Sequence, residues 1–159
     1  MNLDLLTELC ETPGAPGREE RIRAVVRREL EPHADSVEVD PLGNLIARRA
    51  GGGGPRLMLS AHMDEIGFMV THVEEGGFLR LIPLGGFDPK TLTAQRVIVH
   101  GREDLLGVLG TKPVHLMSDE EKRKAPALDD YFVDVGLPAE RVRELVRAGD
   151  VVTRERAMA

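Results

Sequence analysis

Tryptophan is absent from this chain and Tyr131 is its single tyrosine, so aromatic platforms for sugars or single-stranded nucleic acid are scarce. One cysteine, Cys10, excludes an internal disulfide framework and fits a reducing cytoplasm. Its place on the apolar face of a predicted helix reads as a small core hydrophobe. No apolar run is long enough to span a bilayer, and no basic stretch precedes an apolar one at the N-terminus, so neither a membrane anchor nor a secretory leader is expected. Lys/Arg-rich runs are missing too. With 21 basic against 27 acidic residues the net charge is -6, which argues against a nucleic-acid partner or an anionic membrane surface.

What the chain does have is the stretch Leu57-Met58-Leu59-Ser60-Ala61-His62-Met63-Asp64-Glu65-Ile66-Gly67-Phe68. Its apolar start reads as a buried strand that runs into an imidazole and two carboxylates, at the sheet rim where α/β folds place ligands. His-x-Asp suits a metal ligand followed by the carboxylate that orients it: neutral imidazole binds the metal, and the carboxylate holds the other ring N–H. The spacing points to a metallohydrolase, although one His and its neighbours do not complete a site.

Around that motif, 159 residues allow one domain or two small ones. Leu3, Leu6, Leu9 and Cys10 follow helical spacing, stopped by Thr12-Pro13-Gly14. Ile22, Val25, Val26 and Leu30 mark a second amphipathic helix, with Glu19 and Glu20 placed to complement its dipole and Pro32 ending it. Val37-Glu38-Val39-Asp40, a Pro41-Leu42-Gly43-Asn44 turn and Leu45-Ile46-Ala47-Arg48 form a hairpin. Beyond about residue 69 the texture changes to short strands at 68–73, 78–84, 96–100, 106–110 and 131–135, most of them separated by Gly-rich turns. Such spacing suggests a small β-barrel or sandwich. The polar run 118–124 reads as a solvated loop or single helical turn. A last helix at 138–148 leads into Val151-Val152-Thr153. The expected architecture is an α/β beginning, with too few strands for a complete doubly wound sheet, followed by a compact β module.

These segments, taken in order, carry a family resemblance. Pro13-Gly14-Ala15-Pro16-Gly17-Arg18-Glu19, Asp40-Pro41-Leu42-Gly43-Asn44-Leu45, Ala61-His62-Met63-Asp64-Glu65-Ile66-Gly67-Phe68, Pro83-Leu84-Gly85-Gly86-Phe87-Asp88, Lys112-Pro113-Val114-His115, Phe132-Val133-Asp134-Val135-Gly136 and Gly149-Asp150-Val151-Val152 resemble the N-terminal part of the tetrahedral aminopeptidases. This metallopeptidase family includes glutamyl aminopeptidases and some members labelled endoglucanase. The resemblance implies the start of an α/β catalytic domain over 1–69, a PDZ-like β-barrel insert for assembly over 70–155, and a truncated return towards the catalytic domain at 156–159. It implies a cytoplasmic enzyme with two divalent ions, zinc or cobalt, in the intact site. Peptides are the implied substrates, and the implied partners are further copies, from dimer to dodecamer. The family's first metal-ligand His falls on His62, and the catalytic Asp that orients it on Asp64. Glu65 and His115 are candidates to lie beside the site, Glu65 as a structural contact rather than a catalyst, and His115 with a turn-stabilising role as the equal alternative. The remaining ligands and the general-base Glu have no counterpart here. Val114 and Phe87 stand where the family often has Pro and Trp.

The leading expectation is therefore a metal-dependent aminopeptidase, represented by a fragment that lacks most metal ligands and is inactive alone, since one imidazole holds zinc poorly. A non-catalytic assembly or peptide-binding module, using exposed strand edges, is the alternative. Endoglucanase-type glycoside hydrolysis comes last, because it needs two placed carboxylates and usually aromatic stacking. His72, His100 and His33 read as surface or strand residues. Gly85-Gly86 reads as a turn needing positive φ.

Overall fold

The computed structural model describes residues 2–124 and 126–158. They divide into two compact units, one of residues 2–65 with 157 and 158, the other Ile66–Arg156. The chain thus leaves the first unit, builds the second without interruption, and comes back.

In the first unit, α1 (Leu3–Glu11) is capped by Asn2, whose side chain accepts the Leu5 N–H at 3.2 Å. The helix buries none of its residues, and Cys10 is exposed rather than in a core. Helix α2 (Glu20–Leu30) follows the Gly14-Ala15-Pro16-Gly17 turn and buries Ile22 and Val25, three residues apart on one face. It runs into a 3-10 turn at Glu31–His33, with Pro32 inside it. The expected hairpin is present as β1 (Ser36–Val39) and β2 (Leu45–Arg48). Asp40 organises its turn, accepting N–H groups from Leu42 and Asn44, each at 2.9 Å, and the Asn44 amide at 2.8 Å. Those bonds, led by the Asn44 side chain, hold the Asp40 carboxyl below its ordinary pKa.

The expected buried strand at 57–61 does not form. Leu57, Met58 and Leu59 are 86%, 84% and 89% exposed and adopt no regular structure. A strand needs a ladder partner, and among the described residues of this unit β1 and β2 pair only with each other.

The second unit is a closed barrel in the order β3-β4-β7-β6-β5-β8, all neighbours antiparallel. Its strands are β3 (Gly67–Val73), β4 (Leu79–Leu84), β5 (Arg96–His100), β6 (Asp104–Gly110), β7 (Phe132–Asp134) and β8 (Val151–Arg154). Alternation sends Leu79 and Leu81, Val97 and Val99, Leu109 and Val133 inward. Gly107 faces inward as well: a Cβ there would lie 2.6 Å from Val133 Cγ1, so only glycine lets β6 and β7 close up. Strand β7 is shorter than the expected 131–135. Tyr131 turns its ring into the core, 2% exposed, and its hydroxyl donates to Pro89 O at 2.6 Å.

Helix α3 (Ala139–Leu145) covers the core with Val142 and Leu145. It stops three residues short of the expected end at 148, because Val146 becomes extended and is itself buried, and Leu145 O accepts the Arg102 N–H at 2.8 Å. Every barrel strand has a neighbour on both sides, which narrows the expected exposed strand edges to stretches such as 81–84 of β4, paired with β3 alone. No helix of the described residues is long and apolar enough to cross a membrane.

A barrel that closes on its own core should fold without the first unit. Residues 66–156 expressed alone are expected to unfold in one cooperative urea transition followed by circular dichroism. Leu109→Ala should cost about 2–5 kcal/mol in that melt, as for other fully buried Leu truncations. A broad, non-cooperative loss of signal would contradict independent folding.

Candidate functional site

His62, Asp64 and Glu65 lie in the first unit, in the irregular segment that follows the exposed 57–59 run. The two-residue offset folds the imidazole back on its own loop. His62 Nδ1 is 2.9 Å from Asp64 Oδ1 and 3.0 Å from Asp64 O. Both neighbours are acceptors, so Nδ1 donates, and in the neutral ring Nε2 then keeps its lone pair. The imidazole is exposed and the Asp64 carboxylate about two-fifths so. The pair can thus offer one oriented nitrogen to an electrophile from solvent. Glu65 is half-buried, and its backbone N–H donates to Gly14 O at 2.8 Å.

Among the described residues no group of three or more His, Cys, Asp or Glu side chains converges to hold a metal ion. The pair supplies one ligand nitrogen and its orienting carboxylate, short of the four donors a zinc site takes. The described residues alone do not make the two-ion site that the resemblance implies.

His115 belongs to the barrel unit, in the 3-10 turn Val114–Leu116 between β6 and β7. A polar knot stands on either side of that turn. Glu121 accepts from Lys112 Nζ at 2.8 Å and from the Ser118 N–H at 2.6 Å, while Ser118 Oγ accepts the Glu121 N–H at 3.2 Å. The Lys112 ammonium, then the Ser118 N–H and hydroxyl, hold the Glu121 carboxyl down to about 2.

One constellation escaped the sequence reading. His100 was expected to stand without one, yet its ring bridges two barrel elements. Nδ1 lies 2.9 Å from Asp104 Oδ1, and Nε2 lies 2.9 Å from Thr153 Oγ1 on β8. The sequence signal was the spacing, since His100 and Asp104 are directly opposed at the closing end of the β5–β6 hairpin. Thr153 is 2% exposed, which keeps its hydroxyl from any substrate. The arrangement ties β8 to the hairpin and is no nucleophile.

Comparison with known proteins now decides the family. Residues 43–159 match the family described as M42 glutamyl aminopeptidase. The chain belongs to this family. It is 39% identical over 136 residues to the lysyl aminopeptidase of Pyrococcus furiosus, across 84% of this chain and 39% of that one. The TET aminopeptidase of the marine sediment archaeon Thaumarchaeota archaeon SCGC AB-539-E09 superposes with a TM-score of 0.92 at 31% identity, over 99% of this chain and 45% of that one. The Pyrococcus horikoshii TET1 peptidase, described as assembling into a tetrahedron or a large octahedral shell, superposes with a TM-score of 0.86 at 35% identity, over 99% of this chain and 47% of that one. The chain spans less than half the length of the curated relatives it matches. Both the helical beginning and the barrel are thus shared with aminopeptidases of this family.

The Glu121 knot makes a pH prediction. A carboxyl lowered from 4.5 to about 2 contributes order that is fully present above pH 4.5 and is lost as pH falls through about 2. The Ser118 amide signal should therefore titrate near about 2 in an NMR pH series. In Lys112→Met its midpoint should move up towards 4.5. A midpoint near 4.5 in the unsubstituted chain would contradict the knot.

Proposed function

We propose that this chain supplies the N-terminal part of a metal-dependent aminopeptidase that removes the first residue of peptides, acting in the cytoplasm. The observation that carries this reading is the His62–Asp64 pair, an imidazole held at Nδ1 by a carboxylate 2.9 Å away with Nε2 left to ligate. Family membership supports the reaction class. In this reading His62 is a ligand to one of two divalent ions, zinc or cobalt, and Asp64 fixes the ring's tautomer and orientation. The other ligands and the general base come from polypeptide beyond these residues. The 159-residue chain is inactive by itself.

We infer that the chain forms homo-oligomers, as supported by the TET assembly described for the Pyrococcus horikoshii relative. The glycoside-hydrolase reading loses its aromatic platform. No Trp is available, and Tyr131, the single Tyr, is buried with its hydroxyl bonded to Pro89 O.

A chimera tests the reaction. These 159 residues, replacing the matching segment of the Pyrococcus furiosus lysyl aminopeptidase, should turn over aminoacyl-p-nitroanilides. His62→Ala in the chimera should abolish turnover, and Asp64→Asn should reduce it by about 10–100-fold. The isolated chain should show none with added Zn²⁺ or Co²⁺. Robust turnover by the isolated chain, or chimera activity indifferent to His62→Ala, would overturn the assignment. An inactive chimera that still assembles would favour the non-catalytic alternative.

Light scattering should also find the isolated chain as a dimer or larger species. If residues 66–156 alone are monomeric while the whole chain associates, the exposed Leu57-Met58-Leu59 run is responsible. A clean monomer for both would defeat the assembly reading.

A further inference from the structure

The segment that carries the candidate site is exposed from Gly51 to His62, and burial resumes only at Met63, Asp64 and Glu65. Those three residues meet the turn between the first two helices. The Glu65 N–H donates to Gly14 O at 2.8 Å, and Met63 O faces the bare α-carbon of Gly14. On its other side Gly14 is pressed by α2. A Cβ at position 14 would lie 2.6 Å from Ile22 Cγ2, 3.2 Å from Ile22 Cβ and 3.4 Å from Met63 O.

Gly14 is buried and does not take a positive φ, so what it needs is space rather than conformational freedom. Ile22 cannot yield easily. It is 3% exposed and β-branched, with one strongly preferred rotamer on a helix. An added methyl group would therefore push outward, against the Met63–Glu65 backbone, where the other neighbour is a carbonyl of the site segment itself.

We infer that Gly14 is a positioning residue for the His62–Asp64 pair. Its carbonyl anchors the backbone immediately after Asp64, and its missing side chain lets that backbone pass close enough to α2 to be held. The proton on His62 Nδ1 depends on this course, because the ring bonds both the carboxylate and the main-chain oxygen of Asp64, at 2.9 and 3.0 Å. Once released, a neutral imidazole in water favours the proton on Nε2, and the nitrogen that a ligand needs would be blocked. The value of that nitrogen rests on the aminopeptidase reading above; the tautomer does not.

The test uses the 159-residue chain labelled with ¹⁵N histidine, at a pH where the rings are neutral. Long-range ¹H–¹⁵N spectra should show His62 predominantly protonated at Nδ1, and hydrogen exchange should show the Glu65 amide protected. In Gly14→Ala, His62 should shift to a mixture with Nε2–H, and Glu65 exchange should speed up about five- to tenfold, the scale of one lost hydrogen bond. His100, pinned by Asp104 and Thr153 in the barrel, should not change and reports that the other unit is intact. A folded Gly14→Ala with an unchanged His62 spectrum would overturn the inference. Should that variant fail to fold, the unsubstituted chain decides: a Glu65 amide exchanging like an unstructured one overturns the inference, and a protected amide with Nδ1-protonated His62 supports it. The chimera assay judges the aminopeptidase reading separately, so the two can fail independently.

Discussion

The pairing of β8 on both of its sides is the constraint on which the barrel depends. Strand β8 lies between β3 and β5, with Phe68 opposite Val152 on one side and Val99 opposite Val152 on the other. It buries Val151, Val152 and Thr153 consecutively, where a strand with one wet face would bury only alternate residues. Its approach is fixed by a reciprocal pair of backbone bonds, Gly149 N–H to Val70 O and Val70 N–H to Asp150 O, both at 2.8 Å. The side chain of His100 adds a bond to Thr153 from the neighbouring hairpin. Without β8 the barrel would open at β3 and β5, and the core around Val97, Val99 and Phe68 would be wetted.

That arrangement also explains how the barrel can sit inside another unit's sequence. Because β3 and β8 are antiparallel neighbours, the unit's first and last strands bring its two ends together. A unit with adjacent ends can be inserted into a chain with little disturbance on either side. The first unit has no comparable closure. Among the described residues its buried apolar side chains are those of Ala15, Ile22 and Val25, and the 57–59 run is left in water. The candidate site belongs to this less enclosed unit. There the local bonds of His62 to Asp64, and of Glu65 to Gly14, order the segment that carries the site.

Much of this was legible in the residues alone, because it depends on local chemistry. The two amphipathic helices, the hairpin around Pro41-Leu42-Gly43-Asn44 and the short barrel strands were placed to within a few residues, since periodicity and turn residues act over short spans. Gly85 takes the positive φ its turn was expected to need. The ordered motifs were enough to name the family. The closeness of His62 to Asp64 was also implicit in their spacing, as a two-residue offset lets a ring and a carboxylate meet on one loop.

What the sequence could not determine depends on residues far apart in the chain. Leu57-Met58-Leu59 is apolar enough for a strand, but a strand exists only with a partner, and that is settled outside the run itself. The barrel's strand order, with a neighbour on each side of every strand, follows from β8 returning to β3 across about eighty residues of chain. Thr153 reaches His100 from a sequence separation of 53, and Glu65 reaches Gly14 across the whole hairpin. Composition and spacing, which act locally, determined which elements form. Burial and hydrogen-bond satisfaction operate between distant segments, and only in the tertiary structure do they decide which residues those elements hold in place.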